Sequence, residues 1–384
     1  MKVLIWVTHL LGVGHFHRVV RIARALVAQG HGVTVANGGF ALDNVRLGAF
    51  DVVQLPPLKS PDVTFKRLVG PDERDIDADY MALRRDALVA LSRRIEPDVI
   101  LTELFPFGRW KFQHELTGLF EDQRSRADRP LVVASIRDIL VPPRKHARLD
   151  IIRHLVETYY DTVLVHGDPA FIRLEETLPL AARFANMIDY TGYIVPDYVA
   201  TQNTDGAGEV VVSAGGSAFG GSLLLAAIAA RPLSSLNTAT WRVLAGQNLA
   251  SETYDALQEA AGQQTGVIVE RVRADFPEIL TRARLSISQA GYNTTSDVLA
   301  AGIGAVFAPF AEADESEQSR RVALLAKHGL AVVVEGAELT GAKLAGAVDR
   351  AAALTPQSSH MPMLDGAANT ARLITAMLQK PRQR

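Results

Sequence analysis

Short apolar runs bounded by turn residues alternate with amphipathic stretches along nearly the whole chain, and the alternation stops once and then restarts. Strands that read as unbroken apolar runs are buried on both faces. Parallel pairing of such strands needs a helical crossover between them, so the pattern dictates β-α-β units. In the first half the strand candidates are KVLIWVT from Lys2, GVTVA from Gly32, DVVQL from Asp51, DVILTE from Asp98, PLVVASI from Pro130 and DTVLVHG from Asp161. Phe16, Val19, Val20, Ala23, Leu26 and Val27 recur at helical spacing before Gly30, and ADYMALRRDALVALSRRI from Ala78 reads as another helix. EVVVSAGG, TWRVLAG, GVIVE, LSISQAG, GAVFAPF and LAVVVEG repeat the scheme in the second half.

Between the halves, Thr191 to Gly208 holds TGYIVPD and TQNTDGAG, a polar stretch with glycine, proline and little periodicity, which marks a linker. The expected fold class is therefore α/β, with two Rossmann-like doubly wound domains facing a cleft. They are assigned to residues 1–195 and 209–361, and a terminal helix within 362–384 is expected to cross back to the first domain. A chain of 384 residues, 48% of them hydrophobic, has enough apolar surface for two cores. Sheets of this kind bind ligands at the carboxyl ends of their strands, so the informative residues should follow strands directly.

Composition excludes several function classes. A net charge of -2 gives no electrostatic footprint for nucleic acid. The absence of cysteine removes disulfide scaffolds, zinc–thiolate sites, iron–sulfur clusters and thiol nucleophiles, and fits a cytoplasmic location. The opening VLIWV run breaks at Thr8 and His9 with no cleavage motif after it, and reads as a buried strand. No apolar stretch reaches membrane-spanning length, which leaves peripheral contact at the inner membrane face as the most the chain could make.

VVVSAGGSAFGGSLLLAAIAA reads as strand, glycine-rich turn and helix, the setting in which backbone N–H groups and a helix N-terminus receive an anion such as a diphosphate. No lysine follows as in a Walker A loop, and Gly215, Gly216, Gly220 and Gly221 do not match the dinucleotide spacing. Alternatively, the same glycines make a tight turn and a close helix–sheet contact. LLGVGHFHR places Gly14 and His15 after the first strand, where the helix dipole disfavours an imidazolium. His15 is then either a proton acceptor or a buried or capping histidine. LSISQAGYNTTSDVLAAGI repeats strand, turn and helix, with Gly291 opening the helix and Asp297 in its second turn, placed to bind the vicinal hydroxyls of a ribose.

Together GVGHFHR, SAGGSAFGG and SQAGYNTTSDVLAAG, followed by PFAEADESEQSRRVALL, resemble the nucleotide-sugar glycosyltransferases of GT-B fold, in particular the MurG-like group with its glycosyltransferase family 28 C-terminal domain. TELFPFGRWKFQHEL, SIRDIL and LVHGDP in the first half look like a predicted bacterial glycosyltransferase group. The resemblance implies a donor diphosphate at Gly215, Gly216 and Ser217, a ribose at Asp297, donor sugar hydroxyls near Glu317 and Gln318, and a base against the backbone of Arg271 and Val272. It brings His15, beside Gly14, to the acceptor. Two departures stand out. The chain has LLG where the family has GG before the histidine motif, and TGYIVPDY runs on to Asp197 where the family has an arginine. Arg242, Arg271 and Arg273 are then the candidates for neutralising phosphate.

The implied activity is transfer of a hexose-type sugar from a nucleotide-diphosphate donor, a UDP-sugar above all, to a hydroxyl of a sugar, lipid-linked or small-molecule acceptor. The donor is a substrate and no separate cofactor is expected. His15, Glu103 and Asp138 are the expected catalytic residues of the first domain, with His166 and Asp168 at the acceptor. Asp138 could equally cap a loop or pair with Arg137, and His166 and Asp168 could shape the turn before Pro169. Asp75, Asp77 and Asp79 form a D-x-D pattern that either holds a divalent ion or favours a helix start. The resemblance points to phosphate stabilisation without a metal. Trp110, Lys111 and Phe112, with Phe105 and Phe107, form either an acceptor platform or a piece of core. A nucleotide-sugar hydrolase or 2-epimerase of the same fold, and a non-catalytic nucleotide-sugar-binding protein, are the competing readings.

Overall fold

The first strands are apolar on both faces because helices cover both, and the alternation of their side chains divides the core in two. The computed structural model describes residues 1–379 apart from 43–44, 46, 63–64, 127, 144, 200–201, 216–219, 310–315 and 355–360. The chain forms two units, Met1–Ile194 with Met363–Arg384, and Val195–Pro362.

The first unit is built on β1 (Lys2–Val7), β2 (Gly32–Asn37), β3 (Asp51–Gln54), β4 (Val99–Glu103), β5 (Leu131–Arg137), β6 (Thr162–His166) and β7 (Ile188–Tyr190). They form one sheet in the order β3-β2-β1-β4-β5-β6-β7, and every pairing is parallel. The order reverses between β1 and β4, the switch point at which such sheets open for a ligand. Odd-numbered residues of β1, Val3, Ile5 and Val7, join Val99, Leu101, Val133 and Leu164 on one face. That face packs on Phe16, Val19 and Ala23 of the helix Gly14–Ala28 and on Ala371 and Ile374 of the helix Gly366–Gln379. Leu4, Trp6, Ile100, Val132, Ala134 and Val165 face the other way, against Leu88, Leu116 and Ile152. Each such aliphatic side chain contributes about 1.5–3 kcal/mol on full burial. The strand expectations hold except that Ile188–Tyr190 was not anticipated.

The second unit repeats the plan with β8 (Val210–Ser213), β9 (Trp241–Ala245), β10 (Val267–Arg271), β11 (Leu285–Ser288), β12 (Gly304–Phe307) and β13 (Val332–Val333), ordered β10-β9-β8-β11-β12-β13 and again parallel. Val210, Val212, Val243, Ile287 and Val306 pack on Leu224 and Ala227 of the helix Gly221–Ala230 and on Leu344 and Val348 of the helix Gly341–Ala352.

The aromatic cluster belongs to the core, and the acidic stretch supports a helix start. Phe105, Phe107 and Phe112 are buried in the first core, with Trp110 packed against them, while Lys111 donates to the Lys66 carbonyl at 2.5 Å. Asp77 is the N-cap of the helix Ala78–Ile95, accepting from the Tyr80 N–H at 2.8 Å, and Asp75 pairs with Arg67 at 2.8 Å.

Candidate functional site

On the face under the helix Gly14–Ala28, the apolar rows of three strands end in polar residues: Glu103 closes β4, Ser135 stands opposite it in β5, and His166 closes β6. Strand alternation puts Glu103 on the face of Leu101, Ser135 on that of Val133, and His166 on that of Leu164. The helix starts at Gly14 directly after the β1 turn, which drops His15 and, one turn on, Arg18 over these strand ends.

His15 Nδ1 lies 2.9 Å from Glu103 Oε1. Arg18 pairs with the same carboxylate, through Nη2 to Oε1 and through Nε to Oε2 at 3.4 Å. The Ser135 hydroxyl donates to Oε2 at 2.7 Å. Glu103 is 1% exposed and Arg18 2%, so the pair is shielded from water while the His15 side chain keeps 17% of its surface. Burial alone would raise the Glu103 carboxyl, but the Arg18 guanidinium and the hydrogen bond from His15 outweigh it and hold the group below the usual carboxylate range. Burial pushes His15 down to about 3, and the Arg109 guanidinium adds to the push against the pull of Glu103. The neutral imidazole anticipated from the helix dipole is thus present for a different reason, desolvation and a nearby cation. Arg109 itself donates from Nε to the Thr8 carbonyl at 2.9 Å and is pushed down to about 10 by burial.

Other first-unit expectations are corrected. His166 has no exposed surface, so it cannot touch an acceptor; its ring sits 2.8 Å from Ser135 Oγ on one side and 2.8 Å from Thr191 Oγ1 on the other. Asp138 is 1% exposed and accepts from the Ile139 N–H at 2.9 Å and the Tyr193 hydroxyl at 2.8 Å, which makes it a loop cap rather than a reacting carboxylate. Asp168 accepts from the Ala170 N–H at 2.8 Å and the Met363 N–H at 2.9 Å, tying its turn to the returning chain. Arg18, Ser135 and Thr191 escaped the sequence reading. Only the helical spacing of Arg18 from His15 was visible there.

In the second unit, Gly215 follows β8 with φ +65, a conformation that favours glycine, and its N–H donates to Ser213 Oγ at 3.1 Å. Gly216 and Ser217 lie outside the described residues. The helix begins at Gly221, and no side chain caps it among the described residues. Gly220 has a packing reason: a Cβ there would fall 2.0 Å from the Ala214 Cβ. The glycine cluster therefore serves both a turn and a close helix approach.

Gly291 is the N-cap of the helix Tyr292–Ala301, and Asp297 in its second turn is 5% exposed. The helix Ser316–Lys327 braces the turn before it. Gln318 Oε1 accepts from the Ala290 N–H at 3.1 Å, and Arg321, buried at 1%, donates to the Ala290 carbonyl at 2.9 Å and pairs with Glu317 at 2.7 Å. Val272 donates its N–H to the Ala245 carbonyl at 2.8 Å, and its carbonyl accepts from Gln247 at 3.0 Å.

The arginines proposed for phosphate are committed elsewhere. Arg242, near the start of β9 and away from the carboxyl ends of the strands, is held by Glu209 at 2.7 Å, Glu270 at 2.7 Å and Asp205 at 3.1 Å. Arg273 is held by Asp275 at 2.7 Å and Asp205 at 2.6 Å, and Arg271 donates to the Gly246 and Leu249 carbonyls at 2.9 and 3.1 Å while stacking on Tyr254. Among the described residues no cluster of histidine and carboxylate side chains is arranged to hold a metal ion.

Residues 215–374 match the sequence model of the glycosyltransferase family 28 C-terminal domain. A UDP-N-acetylglucosamine–N-acetylmuramyl-(pentapeptide) pyrophosphoryl-undecaprenol N-acetylglucosamine transferase from Tolumonas auensis is 35% identical over 113 residues, which is 29% of this chain and 31% of that protein. The similarity to this relative thus spans under a third of its length. Across the whole chain the fold is that of the GT-B glycosyltransferases. The glycotransferase of kitacinnamycin superposes with a TM-score of 0.62 at 16% identity over 98% of both chains. MurG of Acinetobacter baumannii gives 0.56 at 14% identity over 98% of this chain and 100% of its own.

Proposed function

We propose that the chain is a glycosyltransferase that moves a hexose-type sugar from a nucleotide-diphosphate donor to an acceptor hydroxyl, with His15 as general base. The observation that carries the reading is the 2.9 Å contact of His15 Nδ1 with a buried, ionised Glu103, at the carboxyl end of a parallel sheet. A carboxylate accepting from Nδ1–H leaves Nε2 as a lone pair, the form that can take a proton. The acceptor oxygen bonds to the anomeric carbon of the donor as its proton passes to His15 Nε2. The bond from that carbon to the diphosphate oxygen breaks, and the electron pair leaves with the diphosphate. In the second unit the turn at Gly215 and the amides opening the helix Gly221–Ala230, which no described side chain caps, support a diphosphate-binding role for that unit.

The family 28 match and the relative from Tolumonas auensis, whose name specifies UDP-N-acetylglucosamine, support UDP as the nucleotide. That name also specifies a pyrophosphoryl-undecaprenol acceptor, so a lipid-linked acceptor leads our list ahead of free sugars and small molecules. No described helix is long and apolar enough to cross a membrane, and we place the protein in the cytoplasm with peripheral membrane contact at most. The test is a thermal-shift screen of the full chain against nucleotide sugars, followed by assay of nucleotide release with candidate acceptors. A bound donor at a hundred times its Kd should add about 2.7 kcal/mol of stability. His15→Ala should keep the shift and lose turnover. Indifference to every nucleotide sugar would overturn the proposal, and full turnover by His15→Ala would overturn the assignment of the base.

A further inference from the structure

The buried contacts beyond Glu103 form one line, and their proton directions can be worked out in sequence. Glu103 is ionised and can only accept. At 2.9 Å from Oε1, His15 Nδ1 must carry a proton, because a bare nitrogen would set two lone pairs against each other; the longer 3.2 Å approach of Arg18 Nη2 to the same nitrogen does not reverse this. The Ser135 proton is spent on Glu103 Oε2 at 2.7 Å. Ser135 Oγ must therefore accept across its 2.8 Å contact with His166 Nε2, which fixes His166 as the Nε2–H tautomer. His166 Nδ1 is then bare and accepts from the Thr191 hydroxyl at 2.8 Å, a shorter approach for that proton than the Gly192 carbonyl at 3.0 Å.

Every bond in the line points the same way, from Thr191 through His166, Ser135 and Glu103, and the opposite arm comes from His15. Bonds aligned head to tail polarise one another, the more so in a buried site. Glu103, Ser135 and His166 come from three adjacent strands, and Thr191 follows a fourth, so the line is locked by sheet register rather than by a loop.

We infer that His166 is a positioning residue for His15, acting through Ser135 and Glu103 to hold the imidazole in its Nδ1–H form with Nε2 facing the acceptor. The inference rests on the reading of His15 as the base. Groups that face His15 are Glu103 from β4, Arg18 from its own helix and Arg109 from the loop after β4; His166 feels Arg18 and Glu103.

Long-range proton–nitrogen correlation spectra of the full chain, with His15 assigned from its loss in His15→Gln, read the tautomers without any substrate. The wild type should show Nδ1–H at His15 and Nε2–H at His166. Ser135→Ala removes a donor from Glu103, makes that carboxylate more basic, and should raise the onset of His15 titration by about one pH unit. His166→Leu should shift it the same way by less, and His166→Gln, which keeps an N–H donor on the side chain, should restore the wild-type pattern. If His15 keeps its tautomer and titration in both Ser135→Ala and His166→Leu, or if wild-type His166 is the Nδ1–H form, the inference fails. Should His166→Leu not fold, Ser135→Ala alone decides. Shifted spectra in a protein whose His15→Ala variant still turns over donor would remove the base reading and leave the positioning intact.

Discussion

Glu103→Gln changes one oxygen for an amide nitrogen, and the structure lets its effects be separated. Glu103 accepts from His15, Arg18 and Ser135 while 1% exposed, and Arg18 at 2% exposed has this carboxylate as its ion-pair partner. Neutralising one member of a buried pair costs about 3–5 kcal/mol; because glutamine keeps the volume and one acceptor oxygen, the low end applies, about 3 kcal/mol. For a domain of this size that is a fall of about 6–12 °C in the melting temperature of the first unit. The new NH₂ can donate to His15 Nδ1, which forces the proton onto Nε2 and removes the base, so turnover should drop about 10²–10⁴-fold. The stability loss has a sign in pH. The folded carboxyl lies below its ordinary value, so its contribution is full above about 4.5 and fades as pH falls below that. Calorimetric melting of wild type and variant at pH 7.5 and pH 4, with donor turnover at pH 7.5, checks all three effects. A variant with wild-type melting and turnover would refute the coupling of Arg18, Glu103 and His15 argued above.

Burial holds His15 and His166 down to about 3 and His17 to about 4, so each ring is neutral when folded and protonates only when unfolded below about 6.5. The unfolded chain then binds more protons, and stability should fall between pH 6.5 and 4 by about 1.4 kcal/mol per pH unit per histidine, seen as an acid-side drop in melting temperature. Gly220→Ala places a methyl 2.0 Å from the Ala214 Cβ and should destabilise the second unit by about 1–3 kcal/mol in denaturant titration. Asp297→Ala should weaken nucleotide binding several-fold or more in calorimetry with the fold retained, since lost hydroxyl hydrogen bonds worth about 1–3 kcal/mol correspond to about 5–150-fold; unchanged affinity would remove the ribose assignment.

The architecture was legible because fully buried parallel strands announce themselves as apolar runs between turn signals. Ile188–Tyr190 was missed since IDY is three half-buried residues following a 3₁₀ segment, Pro179–Met187, with no periodicity to read. His15 and Glu103 stood out as ionisable residues just past or at strand ends, but their meeting depends on which strands lie side by side, and register is not written in any one strand. The same gap hid Ser135, an unremarkable serine until β5 is set against β4. Arg242 was misjudged for a related reason. Its type suits phosphate, yet it is the second residue of β9, beside the carboxylates of Glu209 and Glu270.

The helix Gly366–Gln379 seals the core of the first unit, and the bond between His31 Nε2 and Thr375 Oγ1 spans 344 positions of sequence. During synthesis the amino-terminal lobe must therefore wait, with the apolar groove beside the helix Gly14–Ala28 uncovered, until the helix Gly366–Gln379 has left the ribosome. Removing that helix should accordingly injure the unit Met1–Ile194 and spare the unit Val195–Pro362.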